Sequence, residues 1–412
     1  MYYLNRSCYY VSGKKGASIY DAKSGKIYSF NDEAKDLLDK VIALECQFSE
    51  EEVCFLDKMI ENNVLSNSYV PFHDIFELKQ QCVIDFVWIE VTTGCNLRCV
   101  HCYGNAGTVQ RIDMLEDDFR LVVNYLVKMG IKKVQLIGGE PFILNEKLKS
   151  FIDILGSKFD YIEIFTNGTL LNEEWMDYLK EKKIRLAFSV YSYDACAHDI
   201  VTKQPGSWAK TNHSIKLAKE AGVSYRVKNV LIKDISLGSC NTSLYRLSPN
   251  KDVVRMTGRA DINLVSPELL KKRLITKESF SRIIEASYIS RLVSGHNCFS
   301  RRLYFAHDLE VYPCVMERRF SHGNLHNKHF SDLIDIELTM FGKDKIEGCQ
   351  DCEFRYYCFD CRPDSLGNSR YSKPWNCTYN PESGIWADPD SFISDLLSDT
   401  SSHNSIDNYP LI

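Results

Sequence analysis

Two hydrophobic rhythms alternate along the middle of the chain. Phe86–Val91 is a short apolar run that ends at Thr92-Thr93-Gly94. From about Glu116 the apolar positions Phe119, Val122, Val123 and Leu126 fall on one helical face, and Gly130 is the stop. Val134–Ile137 is again a strand-like run and closes on Gly138-Gly139. A helical stretch near Leu148–Leu155 leads to Tyr161–Phe165, which ends at Thr166-Asn167-Gly168. Then come Ile184–Val190, a helix around Thr211–Ala221, and a strand over Val223–Ile232. Strands separated by helices predict βα units and a parallel sheet. The expected class is α/β: a partial (β/α)6 barrel of the TIM type over residues 79–290. In such sheets the working residues lie at the C-terminal strand ends.

The flanks have other textures. In residues 1–78, the runs Tyr9–Val11, Ser18–Tyr20 and Ile27–Phe30 flank a Ser24-Gly25 turn and suggest a hairpin. Ala34, Leu37, Leu38, Val41 and Ile42 follow at helical spacing, and Ser49 with Glu52 forms a capping box opening a second helix. This predicts a small, separate α+β unit of winged-helix type. Over 291–385 the periodicity is lost and turns and cysteines dominate, as in a region held by metal. Residues 386–412 are polar and acidic and read as a loosely held tail.

Charge narrows the function. A formal net charge of −5 supplies no field to gather nucleic acid or anionic lipid. No apolar run is long enough to span a bilayer, and the N-terminal residues do not form a signal core. A cytoplasmic, reducing setting is expected, where thiols bind metal more often than they pair. Sixteen cysteines are many for 412 residues. Cys8, Cys46, Cys54, Cys82, Cys196 and Cys240 are scattered and read as small buried hydrophobes; the others gather in two groups.

The first group is Cys95-Asn96-Leu97-Arg98-Cys99-Val100-His101-Cys102, directly after a strand. Three thiolates on a tight loop suit three irons of a 4Fe-4S cluster and leave the fourth iron for a chelating ligand, such as the amino and carboxylate groups of a methionine. Zinc would need another partner, and Cys82 lies before the strand on the wrong side.

This CxxxCxxC after the first strand resembles the signature of radical S-adenosylmethionine enzymes, over roughly residues 85–235. The resemblance implies a cluster that reduces S-adenosylmethionine to methionine and a 5′-deoxyadenosyl radical. It places His101 at a position usually aromatic and the Tyr103 backbone against the adenine. Gly138-Gly139-Glu140-Pro141 resembles the segment whose carbonyls and carboxylate receive the methionine ammonium. Thr166-Asn167-Gly168 resembles the third strand's end, and Ser189 a ribose contact. Arg226 either pairs with the methionine carboxylate or is a solvated arginine. No residue is assigned as a general acid or base.

The second group, Cys349-x2-Cys352-x5-Cys358-x2-Cys361 with Cys377 beyond and Cys298 and Cys314 upstream, resembles the SPASM module of peptide- and protein-modifying radical enzymes. It implies two auxiliary iron–sulfur clusters: Cys349, Cys352, Cys358 and Cys377 on one, and Cys298, Cys314 and Cys361 on the other. Two departures stand out: the last pair is CxxC, and Leu309 replaces the usual glycine before Cys314. The second set is one ligand short, so it either keeps an open iron or takes Cys240 or a non-cysteine group. Two zinc knuckles are the alternative. Residues 1–78 resemble the PqqD-like element that pairs with a leader peptide, with a plain packing domain as the alternative.

The whole resembles a radical SAM/SPASM maturase of a ribosomally made peptide. Its partners would be a precursor of leader plus core and an electron donor such as flavodoxin or ferredoxin. The expected product is a thioether from a peptide cysteine. Other crosslinks, epimerisation, a sulfatase-type protein substrate and a non-catalytic zinc-binding adaptor are the alternatives.

Overall fold

The computed structural model describes residues 1–69, 84–107, 110–239, 244–246, 252–296, 298–365 and 367–402. Cys82 and Cys240 lie outside them. The chain forms two units. One comprises Met1–Cys82, Leu274–Ser300 and Thr339–Asp399; the other consists mainly of Val83–Arg273 and Arg301–Leu338.

The first unit opens with β1 (Tyr3–Leu4), β2 (Cys8–Ser12), β3 (Ala17–Asp21), β4 (Lys26–Phe30), α1 (Asp32–Ile42), α2 (Glu50–Glu61) and β5 (Leu65–Ser66). The strands β2-β3-β4 form an antiparallel sheet, and β1 pairs with β5. Tyr20 stands opposite Ile27 across the expected turn, where Gly25 takes the left-handed φ of 71° that a glycine adopts without a Cβ penalty. Asn31 caps α1 by accepting from the Ala34 N–H, and Ser49 with Glu52 closes the capping box of α2.

Alternation along β3 explains why these residues are not a separate unit. Successive side chains point to opposite faces. Ala17 and Ile19 join Leu38, Val41 and Leu56 in one core. On the other face Tyr20, with Val11, packs with Ile284, Ile289, Phe354, Tyr357 and Tyr379. Ser18 Oγ donates to Glu353 O (2.7 Å) and Tyr20 Oη to Ile284 O (2.5 Å). The expected boundaries at 78 and 290 therefore do not separate the N-terminal residues from the cysteine-rich segment; the two share a core. The expected loose tail is also ordered at its start. Trp386 packs on Phe354 and Tyr379, and a helix over Pro389–Ser402 buries Ile393.

The second unit runs β6 (Phe86–Thr92), α3 (Glu116–Lys128), β7 (Lys133–Gly138), α4 (Glu146–Leu155), β8 (Tyr161–Thr166), α5 (Glu173–Glu181), β9 (Arg185–Ser189), α6 (Ala195–Thr202), α7 (Ser207–Ala221) and β10 (Tyr225–Lys228). Short strands follow: β11 (Val230–Leu231), β12 (Asp252–Val253), β13 (Arg302–Phe305), β14 (Glu310–Tyr312) and β15 (Gly323–Asn324). The main sheet has the order β10-β9-β8-β7-β6-β13-β14-β15, parallel from β10 to β13 and antiparallel beyond. This is an open, partial barrel-like α/β sheet whose central strand β6 buries Val87, Ile89 and Val91 completely.

Two expectations change here. The strand expected over Val223–Ile232 stops at Lys228: Asn229 turns its Nδ2 to donate to Val190 O (2.7 Å), and β11 pairs with β12 instead. The sixth parallel strand is not the next in sequence but β13, on the far side of β6. No helix among the described residues is long and apolar enough to cross a membrane.

Candidate functional site

The loop after β6 is held from three sides. Thr92 Oγ1 donates to Asp113 Oδ1 (2.6 Å) and accepts from the Gly94 N–H (2.9 Å). The Arg98 and Val100 N–H groups donate to Thr202 O and Val201 O at the end of α6. Arg259 clamps the rest, with Nε donating to Cys99 O (3.0 Å), Nη1 to Ala106 O (2.7 Å) and its N–H to Cys102 O (3.0 Å). Gly258 makes this approach possible, since a Cβ there would stand 2.2 Å from Cys102 O.

Cys95, Cys99 and Cys102 border one cavity of about 650 Å³ that runs along the parallel strands and reaches their C-terminal ends. Tyr103, Gly138, Gly139, Thr166, Asn167, Ser189 and Arg226 border the same cavity. The Leu97 N–H donates to Cys95 Sγ (3.4 Å), with Asn167 Nδ2 at 3.9 Å from that sulfur. Burial is the first cause that pushes the Cys95 and Cys99 thiols up to about 12, and repulsion from neighbouring cysteines adds to it. Thiolates at Cys95 and Cys99 are therefore unfavourable together unless a cation shares the cavity, which is the condition an iron–sulfur cluster meets. Among the described residues no three His, Cys, Asp or Glu side chains converge as ligands of a single metal ion.

Glu140 and Pro141 do not border the cavity. Glu140 is wholly buried, and its carboxylate accepts from Thr166 Oγ1 (2.7 Å), the Asn167 N–H (2.7 Å) and the Phe142 N–H (3.1 Å). Burial outweighs these donors and raises its pKa to about 7. The expectation that it receives an ammonium gives way to that of a strut tying the end of β7 to the end of β8. Pro141 is buried at the start of a 3-10 turn. The two glycines have a packing role: a Cβ on Gly139 would lie 2.1 Å from Gly94 O, and one on Gly138 would lie 2.4 Å from Thr92 O.

Arg226 fits neither expected reading. Its guanidinium is bidentate on Glu163 (2.8 and 2.6 Å), a buried carboxylate also bonded by Gln135 and by Tyr161 Oη (2.7 Å). Sequence reasoning also passed over Tyr191, which borders the cavity, meets the His101 ring edge-on at 4.5 Å and stacks on His198 at 5.4 Å. Burial lowers His101 to about 4, so the ring is neutral. No motif marks Tyr191 or Arg259; only the strand-end position of Tyr191, two residues past Ser189, was available as a signal.

In the first unit, Cys349, Cys352, Cys358 and Cys377 line one small cavity. Tight turns place the first three: the Cys349 N–H donates to Ile346 O, Cys352 N–H to Cys349 O and Cys358 N–H to Phe354 O. Cys377 arrives on a bridge to Ile275. The Phe354 N–H donates to Cys352 Sγ (3.4 Å), repeating the contact seen at Cys95. Burial pushes Cys349 up to about 12 and Cys358 to about 11, with Lys343 opposing it at both. Cys361 precedes a 3-10 turn and does not border this cavity. Of the other expected ligands, Cys298 and Cys361 belong to the first unit and Cys314 to the second. Leu309, where the usual pattern has glycine, is buried with a left-handed φ of 67°.

Residues 89–234 match the Radical SAM superfamily. The antilisterial bacteriocin subtilosin biosynthesis protein AlbA of Bacillus subtilis is 24% identical over 340 residues, 76% of this chain and 72% of that one. The AdoMet-dependent heme synthase of Methanosarcina barkeri is 27% identical over 345 residues, 71% of this chain and 95% of the other. The crystal structure of Streptococcus suis SuiB bound to precursor peptide SuiA superposes with a TM-score of 0.55 at 14% identity, covering 88% of this chain and 96% of that chain.

Proposed function

From the premise that this chain is a radical SAM enzyme, with its radical SAM domain over residues 89–234, we propose that it modifies a ribosomally made precursor peptide. The observation that carries the reading is the set Cys95, Cys99 and Cys102, on one loop beside an open cavity at the strand ends. These cysteines would hold a 4Fe-4S cluster and leave one iron for S-adenosylmethionine. When bound, that pair supplies a 5′-deoxyadenosyl radical.

The residues around the loop have distinct tasks in this reading. Gly138 and Gly139 let β7 close against the loop, and Glu140 fixes Thr166 and Asn167 at the rim. Ser189, Tyr103, Asn167 and Arg226 border the space the nucleoside and substrate would fill; Arg226 reaches it while anchored on Glu163. Cys349, Cys352, Cys358 and Cys377 would hold a first auxiliary cluster, and Cys298, Cys314 and Cys361 a second. The edge of the β2-β3-β4 sheet would pair with the leader, raising the effective concentration of the core peptide at the cavity. The relative named for bacteriocin biosynthesis and the SuiB–SuiA complex support a peptide substrate. Flavodoxin or ferredoxin would supply the electron, and the enzyme would work in the reducing cytoplasm.

The bond we favour is a thioether between a peptide cysteine and a carbon of the core. Anaerobic reconstitution with a candidate precursor, S-adenosylmethionine and reductant tests it by mass spectrometry. A loss of about two mass units with 5′-deoxyadenosine release is expected. An unchanged mass with deuterium uptake replaces the thioether by epimerisation. If no precursor peptide changes while 5′-deoxyadenosine is released, the peptide reading is wrong.

A further inference from the structure

Lys343 is a lysine in an unusual place. It is 2% exposed, at the start of a 3-10 turn, and it borders the cavity lined by Cys349, Cys352, Cys358 and Cys377. Its Nζ lies 2.6 Å from Asp360 Oδ1 as an ion pair, yet it meets no hydrogen-bond geometry among the described residues. Asp360 is already engaged, by Arg362 Nε (2.8 Å) and by His296 Nε2 (3.2 Å). Burying an ammonium with unused donors is costly unless something else receives them.

Lys343 and Arg362 are two buried cations facing one buried carboxylate, Asp360. Glu353 is held elsewhere, accepting from Tyr379 Oη (2.7 Å). Arg355 and Lys373 also border the cavity, but their head groups donate to the carbonyls of Ser12, Cys352 and Tyr379. Lys343 Nζ is thus a buried ammonium without a hydrogen-bond partner among the described residues, beside four sulfurs.

We propose that the Lys343 ammonium is the fixed cation of the four-cysteine site and sets the reduction potential of the cluster held there. The inference rests on the auxiliary-cluster reading and deepens it. Four thiolates on a four-iron core carry net negative charge, and one more electron increases it. A buried ammonium favours the reduced state of such a one-electron couple, because its attraction is little screened. The electron would come from the substrate radical as the new bond closes, so Lys343 would tune the site as an acceptor. It is a positioning residue: it touches neither peptide nor S-adenosylmethionine.

The test uses full-length protein carrying Cys95→Ala, Cys99→Ala, Cys102→Ala and Cys314→Ala, so that the four-cysteine site is observed by itself. Iron content and an EPR-monitored reductive titration are the readouts. Lys343→Met should keep the fold, because Asp360 retains Arg362 and His296. At the parent's midpoint potential, the reduced-to-oxidised ratio should fall about tenfold, which is ~59 mV for one electron. Lys343→Arg should restore it. Loss of iron in the Met variant with retention in the Arg variant also supports the cation's role. Full iron with an unmoved midpoint overturns it, as does equal loss of iron in both variants. A parent protein without iron overturns the cluster reading and the lysine's role together.

Discussion

The two cysteine sites use the same residue type in different surroundings. The three sulfurs after β6 border an open cavity of about 650 Å³, and Arg259, the cation that grips their loop, donates to backbone carbonyls there. The four sulfurs of the other unit line a small cavity with a buried ammonium beside them. A site that leaves a coordination position and space around it can admit a reactant. A site with a full thiolate set and a fixed countercharge is suited to holding a cluster whose only change is its electron count. In the proposed function the difference would separate where chemistry begins from where an electron is left.

Removing the open site has the largest expected effect. Cys95→Ala, Cys99→Ala and Cys102→Ala together should reduce 5′-deoxyadenosine to below detection by chromatography; production that persists contradicts the assignment. Breaking the closed site should dissociate the two functions. In Cys352→Ser, iron per chain falls and modified peptide is lost, while 5′-deoxyadenosine release stays within about threefold of the parent. Equal loss of both would erase the contrast between the sites.

A finer intervention leaves every sulfur in place. Gly139→Ala puts a methyl 2.1 Å from Gly94 O and 2.9 Å from Cys95 Cβ, so the loop must shift. A displacement of that order is expected to lower turnover about a hundredfold at unchanged auxiliary iron content. Activity within twofold of the parent would show that the loop tolerates the shift.

The smallest effect is a slope. Glu140 titrates near 7 in the folded chain, well above an ordinary 4.5, because burial disfavours its charge. The folded state therefore holds a proton that the unfolded state releases between those values. The stability it contributes is complete below about pH 4.5 and is lost as pH rises through 7, to a total of about 3 kcal/mol. Urea unfolding at pH 5 and pH 8 measures it, and Glu140→Gln should flatten the dependence. An identical slope in the variant would assign the titration elsewhere.

Local patterns were legible wherever neighbours in sequence suffice. The stripe Phe119, Val122, Val123, Leu126 is the buried face of α3, and Ser49 with Glu52 caps α2 as expected. The first cysteine set was readable because spacing on one short loop brings its members together. The set Cys349, Cys352, Cys358 and Cys377 followed from the module it resembles. What escaped detection depends on distant partners. Nothing near Glu140 in sequence announces Thr166 and Asn167 as its donors, and nothing near Arg226 points to Glu163. The place of β13 beside β6 is likewise a pairing across more than two hundred positions, visible to no local rhythm. Ser18–Tyr20 reads as one strand of a hairpin, yet Ser18 and Tyr20 bond to Glu353 and Ile284, hundreds of positions away.

That last feature constrains the order in which the protein can assemble. Ser18 and Glu353 are bonded across 335 positions. During synthesis the first three strands emerge early, with Val11 and Tyr20 uncovered until Phe354, Tyr357 and Tyr379 have left the ribosome. The four-sulfur cavity is finished later still, because Cys377 must dock on Ile275. In the proposed function, cluster loading in that unit would follow the synthesis of Cys377, and a nascent chain stalled before it would present the cell with exposed aromatics and thiols.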